Sequence, residues 1–187
     1  MSNSLRIIRP ISPDLGEGRK AEQEAVHRLI HELAPDSGLS HLPNGAPYIE
    51  GYPYNISLSH TKGFIAFVAH PKPYPAGIDI EYKGERVLRV RERFLTPQEN
   101  AAIDESHAAE HLLLYWCAKE TLYKLLRDSG IDFRHALQVM PFPFGESGAI
   151  RVTETHTSPL PQSFLLDFEV SQDYVCVWNR ECRQPCG

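Results

Sequence analysis

The stretch from Tyr54 to Tyr82 reads YNISLSHTKGFIAFVAHPKPYPAGIDIEY, and it decides the fold. It predicts three strands, Tyr54 to Ser59, Phe64 to Ala69 and Gly77 to Tyr82, cut by Thr61-Lys62-Gly63 and by the loop from Pro71 to Pro75. Alternation in the third puts Ile78 and Ile80 into one layer and Asp79 and Glu81 onto the other face, with Cα atoms roughly 6.5–7 Å apart. Two neighbouring carboxylates repel unless a cation lies between them, and a hard divalent ion with oxygen ligands is the natural occupant. At this length a half-exposed strand with an ordinary polar face reads the same way. The surroundings must decide.

Upstream, Leu5 to Ile8 is strand-like, and Ala25, Leu29 and Leu33 recur at four-residue spacing, predicting a helix from about Arg19 to Leu33. Pro35-Asp36-Ser37-Gly38 ends it, and His41 to Pro47 reads as a loop around the turn dipeptide Asn44-Gly45. Downstream, Lys83 to Phe94 predicts a short helix. Thr96-Pro97-Gln98-Glu99 is a helix start, with Thr as N-cap, Pro first and Glu closing a capping box. The longest helix is predicted from about His107 to Asp128, stopping at Gly130, with Leu114, Ala118, Leu122 and Leu125 on its apolar side. Strands follow at Leu137 to Met140, Ala149 to Glu154, Phe164 to Val170 and Tyr174 to Trp178. Helix, strands, helix, strands gives an α+β fold of two comparable halves, 1–75 and 76–187.

Composition narrows the function classes. A chain of 187 residues buries roughly 70% of its unfolded surface, so it folds without disulfides or a structural metal. Its 19 Lys+Arg against 24 Asp+Glu give a net charge of −5, which argues against a general nucleic-acid binder but not against one small phosphorylated ligand. The absence of any long apolar run, at the N-terminus or elsewhere, predicts a cytoplasmic protein with no membrane partner. Cys117, Cys176, Cys182 and Cys186 lack metal-ligand spacing and read as unlinked thiols.

Two further segments carry chemistry. In Trp116-Cys117-Ala118-Lys119-Glu120-Thr121-Leu122-Tyr123-Lys124, helical periodicity sets Trp116, Lys119, Glu120, Tyr123 and Lys124 on one side, opposite the leucines. A solvated face with a Glu120–Lys124 pair fits this, but so does a third carboxylate flanked by two lysines at a metal-bridged phosphate. Ser59-His60-Thr61 clusters donors where a strand ends, either as a phosphate cradle or simply to satisfy the turn. No glycine-rich dinucleotide or P-loop motif is present.

Together these segments resemble the 4′-phosphopantetheinyl transferases. Gly77-Ile78-Asp79-x-Glu81, then Trp116-x-x-Lys119-Glu120-x-x-x-Lys124, matches the family signature, and Ile56-Ser57-Leu58-Ser59-His60 strengthens the likeness to the large, surfactin-synthetase-activator class. The resemblance spans about residues 44 to 124 and includes Gly45, Pro47, Arg93, Phe94 and Glu99. It implies two similar halves related by a pseudo-twofold, each a helix on a small antiparallel sheet. It further implies Mg²⁺-dependent transfer of the phosphopantetheine arm of coenzyme A to a serine of an apo acyl or peptidyl carrier protein, releasing adenosine 3′,5′-bisphosphate. Asp79, Glu81 and Glu120 become the implied Mg²⁺ ligands, Lys119 and Lys124 the pyrophosphate cations, Ser59 and His60 phosphate contacts, and Gly45 and Pro47 the loop beside adenine.

Glu99 matches a glutamate proposed in relatives as general base, although its capping-box position explains it equally well. Glu120 or a metal-bound water is the alternative base. Ala46 departs from the family, which usually has Lys or Arg there, and the N-terminal segment is shorter than in relatives, with Arg19, Lys20 and Arg28 as candidates for the basic contacts that segment usually supplies. Lys83, Arg86, Arg89, Arg91 and Arg93 form the basic strip, read as a solvated helix or as a docking surface for an acidic carrier protein. Two halves in one chain imply a monomer. The rival readings are a metal-dependent nuclease, disfavoured by the charge, and a relative that binds coenzyme A or carrier protein without turnover.

Overall fold

The computed structural model describes residues 4–128 and 130–180. Cys182 and Cys186 lie outside them, whereas Cys117 and Cys176 are buried free thiols. In chain order the elements are β1 (Leu5–Pro10), α1 (Arg19–Leu33), β2 (Leu39–His41), β3 (Pro47–Ile49), β4 (Tyr54–Thr61), β5 (Phe64–Pro71) and β6 (Ile78–Tyr82). Then come α2 (Pro97–Ala101), α3 (Ala108–Leu126), β7 (Leu137–Val139), β8 (Ser147–Glu154), β9 (Gln162–Val170) and β10 (Tyr174–Asn179). The fold is α+β. A three-stranded antiparallel sheet, β1-β5-β4, carries α1; a five-stranded antiparallel sheet, β6-β10-β9-β8-β7, carries α3.

The apolar run of β5 follows from burial on both faces. Ile65, Phe67 and Ala69 pack under α1, while Ala66 and Val68 meet Ile78, Ile80 and Cys176 of the other sheet. Ile78 and Ile80 therefore tie the two sheets together, and Asp79 and Glu81 are turned to the opposite side, toward α3. Strand and helix meet closely there: a Cβ on Gly77 would stand 2.7 Å from the Thr121 carbonyl and 2.8 Å from Leu125 Cγ. Asn179 holds that approach by accepting from the Gly77 N–H at 2.8 Å and donating to the Pro75 carbonyl at 3.0 Å.

Beyond β5 the two sheets also meet edge to edge, at β4 and β6, and side chains replace the ladder. Ser57 Oγ accepts from the Ile78 N–H at 3.2 Å, Ser59 Oγ donates to Asp79 at 2.8 Å, and Thr61 Oγ1 accepts from the Tyr82 N–H at 2.9 Å. The alternation of these hydroxyls along β4 is the period-2 geometry of a strand used as a stitch.

The segment expected as one helix over Lys83 to Phe94 is instead two 3₁₀ turns, Glu85–Arg89 and Arg91–Arg93. The expected loop between His41 and Pro47 is the tip of a short hairpin, β2–β3, with Gly45 at φ +83°. The capping box at Thr96 forms as the sequence predicts. Among the described residues no helix is long and apolar enough to cross a membrane.

Candidate active site

Asp79 from β6 is 5% exposed and receives two donors on one oxygen: Lys124 Nζ at 2.8 Å and Ser59 Oγ at 2.8 Å both reach Oδ1. Its other oxygen, Oδ2, is buried with no hydrogen-bond partner. An unsatisfied buried carboxylate oxygen is costly, and such a group calls for an explanation. Lys124 also donates to the Ile78 carbonyl at 2.9 Å, so α3 grips β6 through this one ammonium.

Glu81 and Glu120 flank this centre and are half-buried. Burial pushes the Glu81 carboxyl up to about 7; the Asp79 charge adds to the shift and the Trp116 indole, donating at 3.1 Å, opposes it. Burial likewise pushes Glu120 up to about 7, with the charges of Asp79 and Glu81 adding and that of Lys124 opposing. Three carboxylates thus share a region that lacks the positive charge to balance them. Among the described residues no three His, Cys, Asp or Glu side chains converge tightly enough to hold a metal ion unaided. The donor set still suits a hard divalent cation, which commonly takes one or two carboxylates and completes its shell with ligand phosphate and water.

The cluster lies where α3 passes from one cavity to another. A cavity of about 630 Å³ is lined by α1, the β2–β3 hairpin, β4 and the end of α3, with Gly45, Pro47, His60, Tyr123, Lys124 and Arg127 in its wall. A cavity of about 650 Å³ is lined by Glu81, Arg86, Arg93, Phe94, Trp116 and Glu120 among others. Gly45, Pro47, His60 and Lys124 therefore come together in the first, and Glu81 and Glu120 open onto the second.

Other expected site residues lie elsewhere. Ser59 is not in the wall of the first cavity; its hydroxyl is spent on Asp79. Lys119, expected on a wet helix face, is 0% exposed. Its ammonium donates to the Phe94 and Phe133 carbonyls at 2.7 and 3.0 Å and pairs with Glu99 at 2.9 Å. The reason is that α3 is covered twice: the sheet packs on one side, and Val87, Phe94 and Leu95 pack on another. Burial lowers the Lys119 ammonium, and the Glu99 charge works against that.

Glu99 is 4% exposed, and both its oxygens are engaged. Oε2 accepts from the Thr96 N–H at 2.7 Å, and Oε1 from the Val139 N–H at 2.8 Å. The capping role accounts for it. Of the basic candidates near the N-terminus, Arg19 lines the first cavity, while Arg28 is paired with Asp14 and Glu24. His27, His41 and Arg127 line it as well and carry no sequence signal of their own. Only proximity in the fold reveals them.

The raised carboxyls carry a pH signature. Folded Glu81 and Glu120, at about 7, hold protons more tightly than the unfolded chain with its ordinary value of 4.5. Their stabilising contribution is complete below the unfolded value and is lost as pH rises through the folded one. Cation-free protein is expected to lose melting temperature between pH 4.5 and about 7. The double change Glu81→Gln with Glu120→Gln should flatten that slope in thermal denaturation; an unaltered slope would contradict the coupling.

A model of the 4′-phosphopantetheinyl transferase superfamily matches residues 75–178. No curated protein matches the chain. The matched span covers more than half of the 187 residues and contains β6, α3, all but the last residue of the five-stranded sheet and the three gathered carboxylates; the chain belongs to the 4′-phosphopantetheinyl transferase superfamily.

Proposed function

We propose that this chain is an active holo-carrier-protein synthase. It transfers the 4′-phosphopantetheine arm of coenzyme A, with Mg²⁺, to a serine of an apo acyl or peptidyl carrier protein. The observation that carries this reading is the orphaned Asp79 Oδ2 beside Glu81 and Glu120, a deficit of positive charge located between two cavities. Asp79, Glu81 and Glu120 would hold the cation, which neutralises pyrophosphate charge when bound.

The nucleotide end of the coenzyme belongs in the cavity beside Gly45, Pro47 and His60, and the pantetheine end and the carrier serine in the cavity beside Phe94 and Trp116. The first 75 residues, together with the end of α3, then serve the nucleotide, and the remainder serves the metal and the carrier. The serine oxygen bonds to the phosphorus next to pantetheine, the bond from that phosphorus to the bridging oxygen breaks, and adenosine 3′,5′-bisphosphate leaves. Lys124 sits where charge grows on the departing group. The serine proton is assigned to Glu120, because it faces the cavity while Glu99 is sealed away. Lys119 acts by positioning, since its ammonium fixes the Phe94 and Phe133 carbonyls behind the wall of that cavity. The apolar cluster joining the two sheets is complete within one chain, which suits a monomer.

Incubation with coenzyme A, Mg²⁺ and a panel of apo carrier proteins, read by intact mass, tests the reading. One phosphopantetheine added to a carrier is the expected result. No gain on any carrier, with coenzyme A still bound, would favour a relative that binds without turnover.

The basic strip is shorter in space than in sequence. Arg91 is committed to Asn100 and Glu105, and Lys83 to Glu110, leaving Arg86, Arg89 and Arg93. Arg86 also acts on Glu81 and Arg93 lines the second cavity, so Arg89 isolates docking from chemistry. Arg89→Glu should raise the KM for an acidic carrier by roughly threefold, more at low salt, and spare coenzyme A affinity. Carrier kinetics unchanged at low salt would remove the docking role.

A further inference from the structure

The helix α3 ends at Leu126, and the next residue, Arg127, takes φ +54°, the left-handed conformation. Among the described residues it is the one non-glycine with positive φ. Glycine occupies such a helix end without strain, and a large side chain does not. Backbone strain at one residue points toward function when an independent observation agrees.

Here two observations agree. The Arg127 carbonyl accepts from Asn44 Nδ2 at 2.8 Å, which ties the end of α3 to the hairpin carrying Gly45 and Pro47. Arg127 lines the first cavity together with Arg19, His27, His41 and His60; His60 is paired with Glu22, and the one carboxylate in the wall, Asp128, is paired with His156. Among the described residues neither Arg127 nor Arg19 has an ion-pair partner within 4.0 Å, unlike Arg28, Arg91 and Arg180. Lys124, three residues earlier on the same helix side, is already bound to Asp79 beside the acidic cluster. The cavity therefore holds unpaired positive charge about one helical turn beyond Lys124, and that charge suits a second anionic group.

We propose that Arg127 is a specificity-determining residue that reads the phosphate monoester on the ribose of the coenzyme, so that a residue of the second half selects coenzyme A over its 3′-dephospho form. This rests on the proposed function. A guanidinium forks onto two phosphate oxygens, which a single histidine or ammonium does not do. The hydrogen bond from Asn44 fixes the turn from which the fork reaches the ligand, so the hairpin and the helix end act as one clamp.

Calorimetry on the full chain with coenzyme A and with 3′-dephospho-coenzyme A, each with Mg²⁺, tests this. Wild type should bind coenzyme A more tightly. Arg127→Gly should weaken coenzyme A by about 10- to 100-fold, the loss of charged hydrogen bonds, and leave the dephospho form within about twofold. Its melting temperature should hold or rise, because glycine suits the left-handed turn. Arg127→Lys should keep part of the preference. An unchanged affinity ratio in Arg127→Gly, or an equal loss for both ligands, overturns the assignment of Arg127 while leaving the transferase reading intact. If wild type binds neither ligand, that reading falls and the assignment falls with it.

Discussion

Asp79→Asn is expected to lower kcat/KM for carrier modification by roughly 10²-fold or more, the scale set by removing one preorganised electrostatic group. The substitution keeps size and shape in a site that is 5% exposed, and it removes the charge. A second readout separates this from simple misfolding. The Asp79 charge helps to raise both Glu81 and Glu120, so in Asp79→Asn those carboxyls should ionise at lower pH. The pH dependence of melting should shrink in the same variant that loses turnover. Activity within about threefold of wild type, well under the loss one such group accounts for, would contradict a cation site built on this residue.

The largest expected effect on stability lies at Glu99. Glu99→Ala leaves the Lys119 ammonium buried without its counter-charge and strips the Thr96 and Val139 N–H groups of their acceptor. Breaking one side of a buried pair costs about 3–5 kcal/mol. The double change Glu99→Leu with Lys119→Met removes both charges and should recover a good part of that loss in urea denaturation. It also distinguishes two chemical roles. If the pair acts only by holding the Phe94 and Phe133 backbone in position, the double variant, whose methionine cannot donate to those carbonyls, loses part of its turnover but not all of it. If Glu99 takes the serine proton, turnover vanishes even where stability returns.

How far the sequence reveals this molecule depends on which interactions are local. The Asp79/Glu81 face of β6 is legible because a strand alternates, and α2 because a capping box is a four-residue motif. The extent of α1 and of most strands follows from periodicity in the same way. Lys119 is misread as wet because amphipathic reasoning assumes one covered side, and α3 has two. The bond from Ser59 to Asp79 is not legible in the sequence, because nothing local shows that β4 and β6 are stitched by hydroxyls. The segment Lys83 to Phe94 has the composition of a helix, yet it forms 3₁₀ turns as it folds over α3. Arg127 and His27 lie 100 residues apart in the chain and share one cavity, a relation no spacing rule encodes.

In the proposed reaction Asp79, Glu81 and Glu120 hold a cation together with the pyrophosphate of coenzyme A. Titrating coenzyme A into the protein by calorimetry, with Mg²⁺ and then with chelator, tests it most directly. Two ligands sharing one site strengthen each other reciprocally, so Mg²⁺ should tighten coenzyme A binding by about tenfold or more, and coenzyme A should tighten Mg²⁺ equally. The same coenzyme A affinity with and without Mg²⁺ would contradict it.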